Sequence, residues 1–262
     1  VSDRRTASPV TLVTGAASGI GLAVASLLCR RGKRVAAWDV DGARLVQRMA
    51  ALQEETRGEL RAYPVDVSDG ARVEAGVAEV EAQLGPIEGV AHVAGILRMG
   101  SALTLEPDAW KACFATNAGG VFHVTRAVAR RMLERRSGSI VVVASNAAHT
   151  PRVDMAAYAA SKAAALMFTR CLGLELASAG VRCNVVCPGS TDTPMQRAFW
   201  GEQSGPEQTI RGNLALHRLG IPLGRIAAPD DVAESVLFLL SEAARHVTLQ
   251  ALTVDGGATL SG

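Results

Sequence analysis

From residue 10 to residue 254, short runs of apolar, β-branched residues alternate with longer Ala- and Leu-rich stretches of helical period. This rhythm limits the fold more than any other feature. A strand that is apolar along its whole length must be covered on both faces, and alternation with helices supplies that cover, as in a parallel sheet wound on both sides. The runs predict strands at residues 10–14, 34–39, 60–65, 89–93, 140–144, 182–186 and 252–254, with helices at 20–31, 43–53, 71–84, 108–136, 158–179 and 230–241. The expectation is an α/β fold: one doubly wound parallel sheet of about seven strands, in a single domain spanning residues 1–262. Only residues 190–225 break the rhythm. They carry Gly201, Gly205, Pro206, Gly212, Gly220 and Pro222 with one short amphipathic run near 195–200, the pattern of a lid or substrate loop.

Composition excludes several function classes. The 27 basic and 25 acidic side chains are mixed along the chain and leave a net charge of +2, so no broad field points to nucleic acid or an anionic membrane. Arg130, Arg131, Arg135 and Arg136 cluster at the end of the helix predicted at 108–136, where cations complement the helix dipole. No apolar run approaches the roughly 18 residues of a membrane span. Residues 1–8 hold arginines with no apolar segment after them, the mark of neither a signal peptide nor an anchor. A cytoplasmic protein acting on a small molecule is expected. Cys29, Cys113, Cys171, Cys183 and Cys187 lack CxxC spacing, and no histidine or acid accompanies the Cys183/Cys187 pair, so packing is expected and no metal.

Directly after the first predicted strand comes Thr14-Gly15-Ala16-Ala17-Ser18-Gly19-Ile20-Gly21. Glycines let the backbone turn tightly and approach a pyrophosphate, to which the following helix presents free N–H groups and a partial positive charge. The second strand ends at Asp39, followed by Val40. A carboxylate there accepts hydrogen bonds from both hydroxyls of an adenosine ribose and repels a 2′-phosphate. No cation occupies residues 16–18 or 40, and Arg44 is expected to face solvent on its helix. These features point to NAD.

Tyr158 and Lys162 lie four residues apart on one predicted helix and therefore on one face. A free phenol near pKa 10 is a poor base at neutral pH, and an ammonium one turn away favours its phenolate. The strand predicted at 140–144 delivers Ser145 at its carboxyl end, the end at which parallel sheets bind ligands. A serine there can hold a substrate oxygen beside the phenol.

Taken in order, the Gly15–Gly21 loop, Asp39, Asp66, Ser145, Tyr158-x-x-x-Lys162 and Pro188-Gly189 resemble the short-chain dehydrogenase/reductase family along the whole chain. The resemblance implies a Rossmann-type fold and a homotetramer built on the 108–136 and 158–179 helices. It implies that Asn117 holds a water in a proton relay to Lys162, that Asp66 and Val67 contact adenine, and that Ala94 and Gly95 line the cofactor site. Pro188, Gly189, Thr191 and Thr193 would flank the nicotinamide, and Lys162 would also grip its ribose. One departure is visible: the family reads Asn-Asn-Ala-Gly or Asn-Ala-Ala-Gly where this chain has His92-Val93-Ala94-Gly95. His92 therefore either supports the strand in place of an asparagine or simply packs.

Arg98 and Arg152 follow the fourth and fifth predicted strands, and arginine in such loops suits a carboxylate held bidentately. Met99, Met195, Phe199 and Trp200 are candidate apolar walls for a ring, with Gln196 beside them. Residues 94–100, 147–152, 180–186, 195–197 and 254–257 are similar to family members that oxidise a cyclohexadiene dihydrodiol carboxylate to an aromatic acid. Three alternatives stay open. One is a ring acid with an amine in place of a hydroxyl; a second is reduction of a 3-oxoacyl group on a carrier protein, which calls for a basic residue in the first loop. The third is a catalytically silent NAD-binding subunit.

Overall fold

The computed structural model describes residues 9–56, 58–200 and 205–260, so residues 1–8 and Gly201 lie outside the described residues. Seven parallel strands form one sheet: β1 Val10–Thr14, β2 Arg34–Asp39, β3 Leu60–Pro64, β4 Ile87–His92, β5 Gly138–Val143, β6 Val181–Pro188 and β7 Ala251–Val254. Their spatial order, β3-β2-β1-β4-β5-β6-β7, reverses direction at β1, and the β1/β4 boundary is the switch point where such sheets bind ligands. Thr14 pairs in register with Trp38 on one side and His92 on the other, placing three strand ends together at that crevice.

Both faces of the sheet are covered. On one, α3 (Gly70–Leu84), α5 (Gly120–Arg135) and α6 (Ala156–Leu176) bury Val77, Val124, Met132 and Ala165 around Trp38. On the other, α1 (Gly19–Arg30), α2 (Gly42–Glu55) and α9 (Pro229–Leu240) bury Val24, Leu28, Leu45 and Val236 against Val13 and Val141. Helix starts follow local chemistry: Asp69 accepts hydrogen bonds from the Ala71 and Arg72 N–H groups to cap α3, and Pro229 with Asp230 and Asp231 opens α9.

Two sequence expectations change. Residues 108–136 do not form one helix: α4 (Pro107–Cys113) and α5 are joined by a π-helical turn, Phe114–Gly119, whose extra residue per turn rotates Asn117 into the interior. The arginines at the end of α5 are also more than dipole partners. Arg131 and Arg135 reach Glu81 at 3.3 and 3.0 Å, Arg130 reaches Glu74 at 3.6 Å, and the group stitches α5 to α3.

The described residues of the 190–225 segment hold more regular structure than expected. The segment contains α7 (Pro194–Phe199), α8 (Pro206–Arg211) and a 3₁₀ turn at Leu214–Leu216. Its roots are tied together, the Asp192 N–H donating to the Ala227 carbonyl at 2.8 Å and the Ala227 N–H to the Ser190 carbonyl at 3.1 Å. Among the described residues no helix is long and apolar enough to cross a membrane, and no three His, Cys, Asp or Glu side chains are grouped as metal ligands.

Candidate active site

Two cavities open at the carboxyl ends of the strands, of about 360 and 870 Å³, and Ile20, Val93, Gly95, Thr193 and Met195 line both. The smaller is built from the glycine loop. Gly15 has φ +68°, and a Cβ there would press on the Ala94 backbone at 3.0 Å; a Cβ on Gly21 would run into the Gly15 carbonyl oxygen. Only glycine permits this turn. Ser18, Gly19 and Ile20 line the same space, and the Ser18 hydroxyl is not spent on capping α1.

The Asp39 carboxylate is fixed by the backbone, Oδ2 accepting from the Ala17 N–H at 2.9 Å and Oδ1 from the Asp41 N–H at 3.0 Å. It faces the smaller cavity with Val40, Asp66, Val67 and Ala94. Asp66 is steadied by the Ser68 N–H and hydroxyl at 2.8 and 2.7 Å. Arg44, the cation nearest in sequence, pairs with Asp41 at 3.4 Å. A loop with no room for Cβ atoms, an open helix N-terminus and a backbone-held carboxylate fit a dinucleotide.

Thr14 and His92 hold the crevice in shape. The Thr14 hydroxyl lies 3.3 Å from His92 Nδ1 and accepts from the Val93 and Ala94 N–H groups at 3.0 and 3.1 Å, so β1 fixes the chain as it leaves β4. His92 is buried and its Nε2 has no hydrogen-bond partner. Burial first, and then the charge of Lys162, lowers its pKa to about 3, which keeps the ring neutral. His92 thus takes the strand-supporting position through one nitrogen.

Asn117, delivered by the π-turn, clamps the next stretch. Its Oδ1 accepts from the Ile96 N–H at 2.8 Å, and its Nδ2 donates to the Ile96 carbonyl at 3.0 Å and to the Ser161 hydroxyl at 2.9 Å. The side chain therefore ties the β4 exit loop to α6. Gly95 lies so close that a Cβ would sit 3.0 Å from both Asn117 Oδ1 and Lys162 Nζ.

Ser145, just past β5, and Tyr158 and Lys162, on the first turns of α6, all line the larger cavity and are buried. The Ser145 hydroxyl accepts from the Ala147 N–H at 3.1 Å. Lys162 Nζ donates to the Val143 carbonyl at 3.0 Å and lies 5.8 Å from the centre of the Tyr158 ring. The expectation that the ammonium lowers the phenol's pKa is not met in the protein alone. Burial pushes Tyr158 up, with the Ser145 side chain acting the other way, and burial lowers Lys162 to about 8. Desolvation is the largest cause for both groups, and the Lys162 ammonium directs a proton at the Val143 carbonyl.

The nicotinamide-side residues named from sequence also converge: Pro188, Gly189, Thr191, Thr193, Met195 and Gln196 line the larger cavity. Thr193 caps α7 through its side chain, which accepts from the Gln196 N–H at 3.2 Å. Of the two predicted arginines, Arg152 lines the cavity and Arg98 does not. Arg98 is exposed and donates to the Leu97 carbonyl at 3.2 Å, while Met99 beside it does reach the lining. Trp200 is a fastener rather than a wall, its Nε1 donating to the Thr209 hydroxyl at 3.1 Å, and the Phe199 side chain lies outside the described atoms.

Sequence reasoning missed two features. Arg218 lines the cavity beside Arg152, but it comes from the segment without strand rhythm, where no spacing rule points to it. Asp255 anchors the floor, accepting from Asn146 Nδ2 at 3.2 Å and the Thr259 hydroxyl at 2.6 Å.

Known proteins share this architecture. The family described as enoyl-(acyl carrier protein) reductase matches residues 15–259. The chain is 49% identical to 2,3-dihydro-2,3-dihydroxybenzoate dehydrogenase of Bacillus subtilis over 96% of each chain. It is 44% identical to the enzyme of that name from Escherichia coli, over 95% of this chain and 96% of the relative. A variant of actinorhodin polyketide ketoreductase, solved with NADPH, superposes with a TM-score of 0.87 at 37% identity, covering 97% of this chain and 98% of the other.

Proposed function

The chain belongs to the short-chain dehydrogenase/reductase family, and on that premise we propose that it oxidises 2,3-dihydro-2,3-dihydroxybenzoate to 2,3-dihydroxybenzoate with NAD, a step of catecholate siderophore synthesis. The observation that carries this reading is the larger cavity, in which the Ser145–Tyr158 pair faces the same space as a half-buried arginine, Arg152. An arginine there suits a ring carboxylate, and the phenol suits a ring hydroxyl. Near-full-length identity to two dehydrogenases named for this substrate supports it.

In this proposal the Gly15–Gly21 loop holds the pyrophosphate, Asp39 the adenosine ribose, and Asp66 and Val67 the adenine. Lys162 and Tyr158 hold the nicotinamide ribose, while Pro188, Gly189, Thr191 and Thr193 flank the ring. The cofactor, when bound, supplies the hydride acceptor. Tyr158 as phenolate takes the proton of the C3 hydroxyl while Ser145 donates a hydrogen bond to that oxygen. Lys162 and the Asn117 region return the proton to solvent. The substrate, now a cyclohexadienone, loses a ring proton and becomes aromatic, which makes the oxidation effectively one-way. Asp39, tied to two backbone N–H groups, repels a 2′-phosphate and favours NAD over the phosphorylated cofactor. A cytoplasmic homotetramer of one domain, residues 1–262, completes the proposal.

The test is turnover of the purified protein on the dihydrodiol acid with NAD or NADP, against the analogue bearing a 2-amine. NADH formation with the diol and NAD, rising toward alkaline pH and lost in Tyr158→Phe, is expected, since burial keeps the phenol protonated at neutral pH. Preference for the amine or for NADP would refute the substrate or cofactor assignment respectively.

A further inference from the structure

Ser145 and Asn146 leave the end of β5 as neighbours, and both are buried and line the larger cavity. A 3₁₀ turn, Asn146–Ala148, fixes them: the Ser145 hydroxyl accepts from the Ala147 N–H at 3.1 Å, and the Asn146 backbone carbonyl accepts from the Thr150 N–H at 3.1 Å. A hydroxyl whose oxygen already accepts inside the turn has its proton left to give. Ser145 therefore meets a ligand as a donor.

The Asn146 amide is oriented by the chemistry of its partner. Its Nδ2 donates to Asp255 Oδ2 at 3.2 Å in a buried contact. The same carboxylate accepts from the Thr259 hydroxyl at 2.6 Å and from the Gly257 N–H at 2.9 Å. Burial by itself would raise the Asp255 pKa, and the hydrogen bonds from Thr259, Asn146 and Gly257 bring it below the ordinary carboxylate value. Asp255 is thus ionised and can only accept, so an amide turned the other way would set oxygen against oxygen. Oδ1, which has no hydrogen-bond partner among the described residues, is the end left for a ligand. Gly189 lets the end of β6 close on this pair: a Cβ there would lie 2.5 Å from the Asp255 Cβ and 3.4 Å from Asn146 Nδ2.

We infer that Asn146 is a specificity-determining residue: its Oδ1 accepts a hydrogen bond from the substrate hydroxyl next to the one that is oxidised, while Ser145 donates to the oxygen that becomes the carbonyl. A donor and an acceptor on consecutive residues complement the two neighbouring oxygens of a vicinal diol. The assignment rests on the functional reading above, and it makes Asp255, through its hold on the amide, a positioning residue.

Binding of two saturated ring acids to the NADH-loaded protein tests it. The trans form of 2,3-dihydroxycyclohexanecarboxylate carries both hydroxyls, and 3-hydroxycyclohexanecarboxylate lacks the one at C2; with NADH in place neither can be oxidised. The wild type should bind the diol about 3- to 10-fold more tightly, the worth of one neutral hydrogen bond. Asn146→Ala should remove that preference with NADH affinity unchanged. Asp255→Asn leaves the cavity lining as it is but can offer its own amide N–H to Asn146 Oδ1, and should lower the preference without abolishing it. Equal weakening of both acids in Asn146→Ala, or an unchanged preference, overturns the proposal, as does a wild type that binds the two acids alike or binds neither. Weaker NADH binding with the preference kept would assign the oxygen to the nicotinamide carboxamide and overturn it as well. Turnover of the dihydrodiol acid with NAD is read alongside. Preference for the diol without that turnover refutes the functional reading and leaves Asn146 as a diol contact, whereas turnover without the preference refutes the role of Asn146 alone.

Discussion

His92 shows how one side chain carries both structure and pH sensitivity. Its Nδ1 meets Thr14, its Nε2 is buried without a partner, and its pKa falls from 6.5 to about 3. Between those values the unfolded chain binds a proton that the folded chain refuses. The stability His92 supports is therefore present above pH 6.5 and is lost as pH falls toward 3. His92→Asn, which restores the family's usual residue, should flatten that loss. Urea midpoints at pH 7 and pH 4 test this: the wild type should drop more than the variant, and equal drops would show that the histidine is not held neutral. Tyr158 and Lys162 lie under the same influence, since burial disfavours the charged form of each. Their motif was plain in the sequence, but the protonation states were not, because the spacing Tyr-x-x-x-Lys fixes a face and not the direction in which Lys162 Nζ points.

At the scale of elements, the π-turn Phe114–Gly119 is the decisive irregularity. A continuous α-helix across 108–136 would carry Asn117 at a different angle, whereas the π-turn lets it bond Ile96 and Ser161 at once. Hydrophobic periodicity survives a single inserted residue, so the pattern reads as one helix and conceals the break. Asn117→Ala removes the partners of the half-buried Ile96 N–H and carbonyl, and should cost roughly 1–3 kcal/mol of stability. Denaturant unfolding with an unchanged slope is the check, and a loss below about 0.5 kcal/mol would mean the loop relaxes to water. The strands, by contrast, were legible nearly to the residue. Val10–Thr14 and Arg34–Asp39 are apolar and β-branched because both their faces are buried, and no other element leaves that pattern.

Across the whole molecule, the sheet and the 190–225 segment differ in how they are held. The sheet sits between two apolar layers. The segment is held at its roots by Ser190, Asp192 and Ala227, and inside by the Ile221 N–H bonded to the Ile210 carbonyl at 2.8 Å; Leu214, Leu219 and Leu223 are exposed. Few buried contacts mean a low local opening energy. Ile221→Ala should therefore speed hydrogen exchange of the amides at 205–223 without shifting global unfolding. A fall in the global midpoint of the size of a core truncation would show instead that segment and sheet unfold as one unit.

The sequence by itself determined the layers, the seven strands, the glycine loop, Asp39 and the Ser145/Tyr158/Lys162 set, because each follows from a local rule of period, turn or spacing. Only the tertiary structure decided which arginines line the larger cavity. Arg98 and Arg152 both follow strands, yet Arg98 is exposed and lies outside the lining, whereas Arg152 and Arg218, the latter from a stretch without period, lie within it. Which cations share a cavity depends on the path of the chain between distant residues, and no short-range pattern records that path.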